Sequence, residues 1–322
     1  MTTYNGEKFV KEQLKSFLNQ TKQPDELIIV DDCSTDRTID ILEKFKYDAP
    51  FDVQIYINEI NLGYTQNFNR VLELCTGDFI FLSDQDDVWF PTKIDYMVNL
   101  SIKYPNKALY MIDAILTDEN LEESEFTKIG QIKDLGLSEE SFVMGCCIAI
   151  EKDFLNAILP IPKFFKDGHD VWLVSIADVL KLRYVSYNIQ QYYRIHNNNT
   201  SSFIANNLCK MKKIDNSKSS LKKSIIAWIH SSKMIVFQNY IDKNKIIVNR
   251  LEKLLEVEKY ASVSKEKLIK LKYQINLYEK RLEIIKSKNS LDRIINAFKF
   301  YKGGGYNSFY GIKTCLSDIM RS

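Results

Sequence analysis

Cysteine is scarce in this chain, and its spacing does not suit a metal centre. The 322 residues include six cysteines; Cys146 and Cys147 are adjacent, and no pair has the spacing of zinc ligands. A chain of this length does not need a dense disulfide framework. The cysteines are therefore predicted to be reduced thiols in a cytosolic protein.

Long hydrophobic runs are also missing. The longest nearly continuous apolar stretch, Phe142 to Ile150, is too short to span a bilayer. The first six residues, Met-Thr-Thr-Tyr-Asn-Gly, have neither the basic start nor the apolar core of a signal peptide. We therefore expect a cytoplasmic protein that is either soluble or peripheral on the inner face of the cell membrane.

The net charge of +2 hides an uneven distribution along the chain. Residues 1–204 contain 19 basic and 32 acidic side chains, a net charge of −13. Residues 205–322 contain 25 basic and 10 acidic side chains, a net charge of +15. This asymmetry predicts two domains with that boundary, the second facing an anionic partner.

Strand-like and helix-like segments alternate through the first domain. The alternation predicts an α/β fold with a mainly parallel sheet flanked by helices. Apolar runs typical of buried strands occur at residues 27–30, 53–57, 79–82, 108–112, 142–150 and 182–187.

The sequence changes character after a polar stretch at residues 197–202. Lysine-rich segments follow, with apolar stripes of helical spacing at 246–255 and 268–285. They predict a C-terminal α-helical region, in the form of a hairpin with basic outer faces.

The most informative stretch is Asp84-Gln85-Asp86-Asp87-Val88-Trp89, which follows the strand predicted at 79–82. Three carboxylates at a strand end repel one another unless a positive charge lies between them. Oxygen ligands of this kind suit Mg²⁺ or Mn²⁺. Asp86 is assigned to the metal and Asp84 to the ribose or the metal; the alternative is a polar turn without function.

Three further segments are candidates for nucleotide contacts at the carboxyl ends of strands. A carboxylate of Asp31 or Asp32 can accept a hydrogen bond from N3–H of uracil or thymine. Thr3-Tyr4-Asn5 either touches the nucleobase or contains the cap of the next helix, through Asn5. Asn61-Leu62-Gly63 either lies against the nucleotide or forms a turn in which glycine supplies positive φ.

His169 and Asp170 precede an apolar helix predicted at 171–180. Asp170 either caps that helix or acts as a catalytic base, and an enzyme that needs a base favours the second interpretation. Arg194 and His196 belong either to a surface loop or to a site for diphosphate or metal.

Together these segments resemble the family 2 glycosyltransferases, which are inverting enzymes of the GT-A fold. The Asp-Gln-Asp-Asp-Val-Trp form, with His-Asp and Tyr-Arg-x-His, is most similar to a rhamnosyltransferase-like branch that acts on bacterial surface polysaccharide. Relatives usually have a longer apolar run before Thr-Tyr-Asn, so we expect a displaced start or a shortened central strand. The matching motifs, over about residues 1–204, are Thr2-Thr3-Tyr4-Asn5-Gly6, Val30-Asp31-Asp32-Cys33-Ser34-Thr35-Asp36, Asn61-Leu62-Gly63, Thr76-Gly77-Asp78, Ser83-Asp84-Gln85-Asp86-Asp87-Val88-Trp89 and His169-Asp170.

The resemblance implies a role for each matched residue. Asp170 matches the general base, and Asp84 and Asp86 match the metal and ribose motif, with Mn or Mg as cofactor. His196 matches a residue that contacts the metal or the diphosphate. The nucleotide is assigned to Thr3, Tyr4, Asn5, Asp31, Asp32, Asn61, Gly63 and Asp84, and the acceptor or diphosphate to Trp89, His169 and Arg194.

The resulting hypothesis is an inverting hexosyl transfer from a dTDP- or UDP-linked sugar to a glycan or polyprenyl-linked acceptor. A sugar nucleotidyltransferase is the alternative, but the sequence has no Gly-rich, Lys- or Arg-bearing phosphate loop near its start. The basic C-terminal region either docks on an anionic membrane or another subunit, or packs as a helical hairpin on the catalytic domain. No nucleic-acid partner is expected, because aromatic residues are not interleaved with the basic ones in a recognisable reader.

Overall fold

The computed structural model describes residues 1–165, 167–196, 199, 233–287, 289–309 and 311–319. It divides into two compact units, Met1–Lys212 and Lys213–Ser322. The boundary predicted after residue 204 lies outside the described residues, as does most of the polar stretch at 197–202.

Three parallel strands form the first sheet of the N-terminal unit, in the order β1-β2-β3. Thr3 of β1 is level with Asp31 of β2, and Asp31 with Ile57 of β3, so all three strands end at one edge. The loops that follow the strands therefore meet there. The elements are β1 (Thr2–Thr3), α1 (Val10–Leu18), β2 (Glu26–Asp31), α2 (Thr38–Asp48), β3 (Asp52–Ile57) and α3 (Tyr64–Leu74).

The second sheet has the order β4-β8-β6-β9-β5, with β7 paired to β6. Its β6–β9 pair is parallel, and its other pairs are antiparallel. The predicted α/β class and parallel sheet are confirmed, and the structure adds this mixed sheet. The elements are β4 (Phe79–Phe81), β5 (Val88–Trp89), α4 (Lys93–Lys103), β6 (Leu109–Thr117), β7 (Glu123–Thr127), α5 (Lys128–Asp134), β8 (Ile148–Glu151), α6 (Lys152–Ile158), α7 (His169–Val179) and β9 (Arg183–Arg194).

A hydrophobic core holds the parallel sheet and its helices in place. Helix α1 buries one row of side chains, Val10, Leu14 and Phe17, against Ile29 of β2 and Leu42 of α2. Burying each large apolar side chain contributes about 1.5–3 kcal/mol. The packing of this core therefore holds in place the strand ends from which the loops extend.

The prediction of a strand over residues 142–150 is wrong for residues 142–147, because β8 begins at Ile148. A short 3-10 helix, Gly145–Cys147, precedes β8. A Cβ atom at residue 145 would lie 2.5 Å from Nε2 of His169, so the chain passes close to that ring. This close approach favours glycine at residue 145.

The C-terminal unit is helical in its described part, as predicted. The first two helices, α8 (Lys233–Leu254) and α9 (Glu258–Lys286), are joined by a loop at 255–257. Their apolar rows pack against each other and include Leu251 and Leu254 of α8 and Leu268 and Leu271 of α9. None of the described helices is both long and apolar enough to cross a membrane. The other described helices are α10 (Ser290–Lys302) and α11 (Ile312–Ile319).

Candidate active site

A cleft of about 880 Å³ opens at the carboxyl edge of the parallel sheet. Carboxylates from three distant segments, Asp32, Asp86 and Asp170, share it. Eleven of the residues assigned from the sequence line the cleft: Thr3, Tyr4, Asn5, Asp32, Asn61, Gly63, Asp84, Asp86, His169, Asp170 and His196.

The turn after β4 concentrates negative charge in this cleft. Burial raises the pKa of Asp84 well above its ordinary value, and the charges of Asp86, Asp87 and Asp170 raise it further. Burial, and after it the negative charge of Asp86, raises the pKa of Asp87 to about 7. A positive charge near these groups is therefore stabilising.

Two buried lysines supply part of that positive charge. Lys93 donates a hydrogen bond to Oε1 of Gln191, and its ammonium lies 3.8 Å from the centre of the Trp89 ring. Lys128 lines the cleft with its Nζ 3.8 Å from the centre of the Tyr193 ring. Burial lowers the pKa of both lysines to about 8. Sequence reasoning missed both, because nothing local distinguishes them from surface lysines.

Asp86 is held from two directions. Nε2 of His196 lies 2.8 Å from its Oδ2, and Nε of Arg194 donates to its backbone oxygen at 2.9 Å. Arg194 is 2% exposed, pairs with Glu12 and does not line the cleft. The assignment of Arg194 to the acceptor or diphosphate is therefore corrected, since it supports Asp86 from behind the cleft wall.

The donor atoms in the cleft are of the kind that Mn²⁺ and Mg²⁺ accept. Asp84 and Asp86 offer carboxylate oxygens, and His196 offers an imidazole nitrogen. Within the described ranges, the group whose possible ligand atoms all lie within 4.8 Å of one another is instead Asp84, Asp87 and Cys146. A protonated thiol suits these hard cations poorly. A hydrogen bond with the thiol of Cys147, followed by burial, raises the pKa of Cys146. The carboxylates of Asp84 and Asp86, both of which line the cleft, are therefore the better fit.

Asp32 organises the loop that precedes α3. Its carboxylate accepts hydrogen bonds from Nδ2 of Asn58 at 2.6 Å, the backbone N–H of Leu62 at 2.7 Å and that of Gly63 at 2.9 Å. Gly63 has φ of 77° and precedes the first residue of α3. Gly63 thus supplies the predicted turn and also forms part of the cleft wall.

Asp31 has a structural position instead. It is 0% exposed, lies outside the cleft lining, and accepts hydrogen bonds from Oγ1 of Thr3 at 2.7 Å and from the N–H and hydroxyl of Ser34. Its assignment to the nucleotide is corrected, because its carboxylate is used to join the loops after β1 and β2. Of the two acidic residues, Asp32 alone remains a candidate for base recognition.

The loop after β1 presents Tyr4 to the cleft with 49% of its surface exposed. Gln85 fixes this loop, because its Oε1 accepts from the N–H of Tyr4 at 2.8 Å and its Nε2 donates to the Tyr4 carbonyl at 2.9 Å. Asn5 does not cap α1, which begins at Val10; its Oδ1 accepts from the N–H of Thr35 at 2.8 Å.

Helix α7 places Asp170 at the cleft. The helix begins at His169 after Gly168, so Asp170 is its second residue and the alternative of an N-cap is wrong. His169 is buried, and its ring stacks on that of Phe68 with the ring centres 3.7 Å apart. Neither of its ring nitrogens has a hydrogen-bond partner among the described residues, and burial lowers its pKa to about 4. His169 is therefore neutral at pH 7.

Trp89 does not reach the cleft. Trp89 is 6% exposed and does not line the cleft. Its ring packs edge-on against Phe17 in the hydrophobic core, with the ring centres 4.8 Å apart. Its assignment to the acceptor is corrected, because the ring anchors the acidic turn to α1 instead.

This fold and cleft define an α/β protein with an acidic cleft at the carboxyl edge of its parallel sheet. Residues 1–159, just under half of the chain, match the model of glycosyl transferase family 2, and this part of the chain belongs to that family.

Curated relatives and solved structures are similar to this chain over different lengths. It is 29% identical over 214 residues to dTDP-rhamnosyl transferase RfbG of Shigella flexneri. The matched region makes up 62% of this chain and 72% of that protein. It is 24% identical over 188 residues to UDP-Glc:alpha-D-GlcNAc-diphosphoundecaprenol beta-1,3-glucosyltransferase WfgD of Escherichia coli, covering 55% and 68%. The crystal structure of S. aureus TarS 1-349 in complex with UDP superposes with a TM-score of 0.49 at 16% identity, covering 85% and 69%.

Proposed function

We propose that the chain is an inverting glycosyltransferase of bacterial surface polysaccharide synthesis. It moves a sugar from a UDP- or dTDP-linked donor to a hydroxyl group of a glycan or polyprenyl-linked acceptor. The observation that carries the proposal is the shared cleft of Asp32, Asp86 and Asp170. The names of the two curated relatives, which mention dTDP-rhamnosyl transfer and a diphosphoundecaprenol-linked acceptor, support the donor and acceptor classes.

The donor half of the site is built on the parallel sheet. Asp32 faces the nucleobase, and the half-exposed ring of Tyr4 offers it an apolar face. Asn5, Asn61 and Gly63 form the walls beside the nucleoside. Asp84, in the acidic turn after β4, would bind the ribose or the metal.

The acceptor half of the site centres on Asp170. The acceptor hydroxyl oxygen attacks the anomeric carbon, the bond from that carbon to the diphosphate oxygen breaks, and the hydroxyl proton moves to the Asp170 carboxylate. Attack on the side opposite the leaving group inverts the anomeric configuration. A positioned base of this kind contributes about 10²–10⁴-fold to the rate.

Asp86, Asp84 and His196 would hold a divalent cation, Mn²⁺ or Mg²⁺. When bound, the cation would act as a Lewis acid that neutralises charge on the departing diphosphate. Lys128, which lines the same cleft, would add positive charge from the protein itself.

The two units would have different tasks. The α/β unit catalyses the transfer at the cytoplasmic side of the membrane. The C-terminal region, with a net charge of +15 over residues 205–322, faces the anionic membrane surface that carries the lipid-linked acceptor.

A screen of nucleotide sugars with the full chain tests the proposal. We expect a UDP- or dTDP-linked sugar to bind in the presence of Mn²⁺ and to be hydrolysed slowly, with release of nucleoside diphosphate. EDTA should suppress both signals, and GDP-linked sugars serve as the matched control for base recognition. If no donor binds by titration calorimetry in any metal condition, the proposal is wrong.

A further inference from the structure

Helix α10 exposes an apolar row to solvent. Leu291, Ile294, Ile295, Phe298 and Tyr301 are between 36% and 63% exposed. At about 100° per residue, these positions fall within an arc of about 120° on one side of the helix. Exposed single apolar residues are ordinary, but five on one helix face indicate an interaction surface.

This row is distinct from the face by which α10 packs on its own unit. Arg293 and Ala297 are buried, and Phe300 is partly buried. Ala297 lies in a cluster with Ile284 of α9 and Cys315 of α11. The exposed row is therefore not required for the packing of α10 against its neighbours.

Basic residues accompany the exposed row. Residues 286–322 contain seven Lys and Arg but two Asp; Arg293 and Asp318 are both buried, so six basic residues and one acidic residue, Asp292 of α10, remain. On α10 itself, at about 100° per residue, Lys302 lies within the apolar arc and Lys299 lies about 40° beyond its edge. Long lysine side chains can extend from an apolar face to an anionic headgroup region. A second copy of this surface would bring like charges together, which disfavours self-association.

We propose that the exposed apolar row of α10 inserts into the surface of an anionic phospholipid bilayer, with the helix lying in the plane of the membrane. An apolar face accompanied by lysines is the pattern of interfacial helices. The proposal deepens the membrane partner proposed above for the C-terminal region and does not depend on the chemistry of the cleft.

Vesicle flotation of the full chain tests this directly. The vesicles contain phosphatidylcholine alone or phosphatidylcholine with phosphatidylglycerol. We expect wild type to float with the anionic vesicles, and the double variant Ile295→Ser/Phe298→Ser to bind them about 100-fold more weakly, roughly tenfold for each apolar side chain. The matched control is Tyr47→Ser/Ile102→Ser, which removes residues 91% and 71% exposed in the α/β unit and should bind as wild type does. Leu291→Ser, at the most exposed position of the row, should bind about tenfold more weakly and guards against a folding defect in the double variant.

Each other result would overturn the insertion model. If the double variant floats as wild type does while Lys299→Glu/Lys302→Glu does not, the contact is electrostatic and the row is not inserted. If wild type binds no vesicles but forms a dimer that the double variant loses in sedimentation equilibrium, the row is a self-interface. Transfer to a soluble acceptor, measured in parallel, should be the same in wild type and the double variant. Its absence in wild type would count against the transferase and not against the membrane face.

Discussion

Nε2 of His196 lies 2.8 Å from Oδ2 of Asp86, although 110 positions separate the two residues in the chain. The imidazole ring also packs on Phe9, with ring centres 4.6 Å apart. The end of β9, the acidic turn after β4 and the start of α1 are thus fixed to one another at the cleft wall. We propose that this contact orients the Asp86 carboxylate toward the cation of the proposed metal site.

Removing either partner of this pair should weaken cation binding. We expect Asp86→Asn to abolish measurable Mn²⁺-dependent donor binding. His196→Ala should weaken Mn²⁺ binding by at least about 10–100-fold, because that is the cost of losing an orienting partner and His196 is also proposed as a ligand. Titration calorimetry of Mn²⁺ in the presence of UDP measures both. Asp40→Asn, an exposed carboxylate on α2, is the control and should leave the titration unchanged. Equal Mn²⁺ affinity in wild type and His196→Ala would remove His196 from the site.

Asp170→Asn should separate catalysis from binding. The amide keeps the size of the side chain but cannot take the acceptor proton, so turnover should fall about 10²–10⁴-fold. Donor affinity should change little, because Asp170 is assigned to the acceptor half of the cleft. Single-turnover transfer and donor titration give the two quantities. Turnover at the wild-type rate in this variant would exclude Asp170 as the base.

The raised pKa of Asp87 predicts a specific dependence of stability on pH. Burial raises this pKa from 3.8 to about 7, so between these values the folded protein holds a proton that the unfolded chain releases. The free energy of unfolding therefore falls as pH rises through this range. At 1.36 kcal/mol per pH unit, wild type should lose about 2–3 kcal/mol from pH 5 to pH 7 relative to Asp87→Asn.

Denaturant unfolding in EDTA at pH 5, 7 and 8 measures this difference. The amide oxygen of Asn at position 87 can still accept the hydrogen bond from Nε2 of Gln191, so the variant should fold. Asp48→Asn, exposed at the end of α2, should follow the wild-type profile. Parallel pH profiles for wild type and Asp87→Asn would show that Asp87 is ionised in the folded protein.

The sequence was sufficient to predict which loops meet at the cleft. Parallel strands end at one edge of a sheet, so Thr3, Asp32 and Asn61 had to be neighbours once β1, β2 and β3 were recognised. Asp170 did not follow from this argument, because the sequence left a helix cap and a catalytic base open and the resemblance assigned the base. The prediction for the three strand ends depends on local periodicity, which a single sequence records.

Side-chain direction was harder to predict, because it depends on contacts between distant segments. Asp31 and Asp32 are adjacent and chemically identical, yet one is enclosed by Thr3 and Ser34 while the other faces the cleft. Arg194 was assigned to the acceptor or diphosphate, but packing places it behind the backbone of Asp86. Lys128 has no sequence signal at all, since its burial against Tyr193 depends on the second sheet.

The last prediction concerns the stability of the C-terminal unit. Arg281 donates two hydrogen bonds to Asp318, at 2.8 and 3.0 Å, and the two side chains are 7% and 0% exposed. The ring centres of Phe237 and Phe309 lie 4.3 and 4.2 Å from Cζ of the Arg281 guanidinium. Arg281→Met leaves the Asp318 carboxylate buried without its partner, so it should cost about 3–5 kcal/mol in the free energy of unfolding of this unit.

A second substitution separates the loss of the pair from the charge it leaves behind. In Arg281→Met/Asp318→Leu no charge is left without a partner, and much of the lost stability should return, because well-packed apolar residues can replace a buried ion pair. Lys270→Met breaks a pair with Glu266 in which both side chains are about two-thirds exposed, and should change the free energy of unfolding by less than about 1 kcal/mol. Denaturant unfolding of the full chain, followed by circular dichroism, compares the variants. A loss for Arg281→Met as small as that for Lys270→Met would mean that water reaches Asp318, and that the aromatic rings rather than the ion pair hold α11 in place.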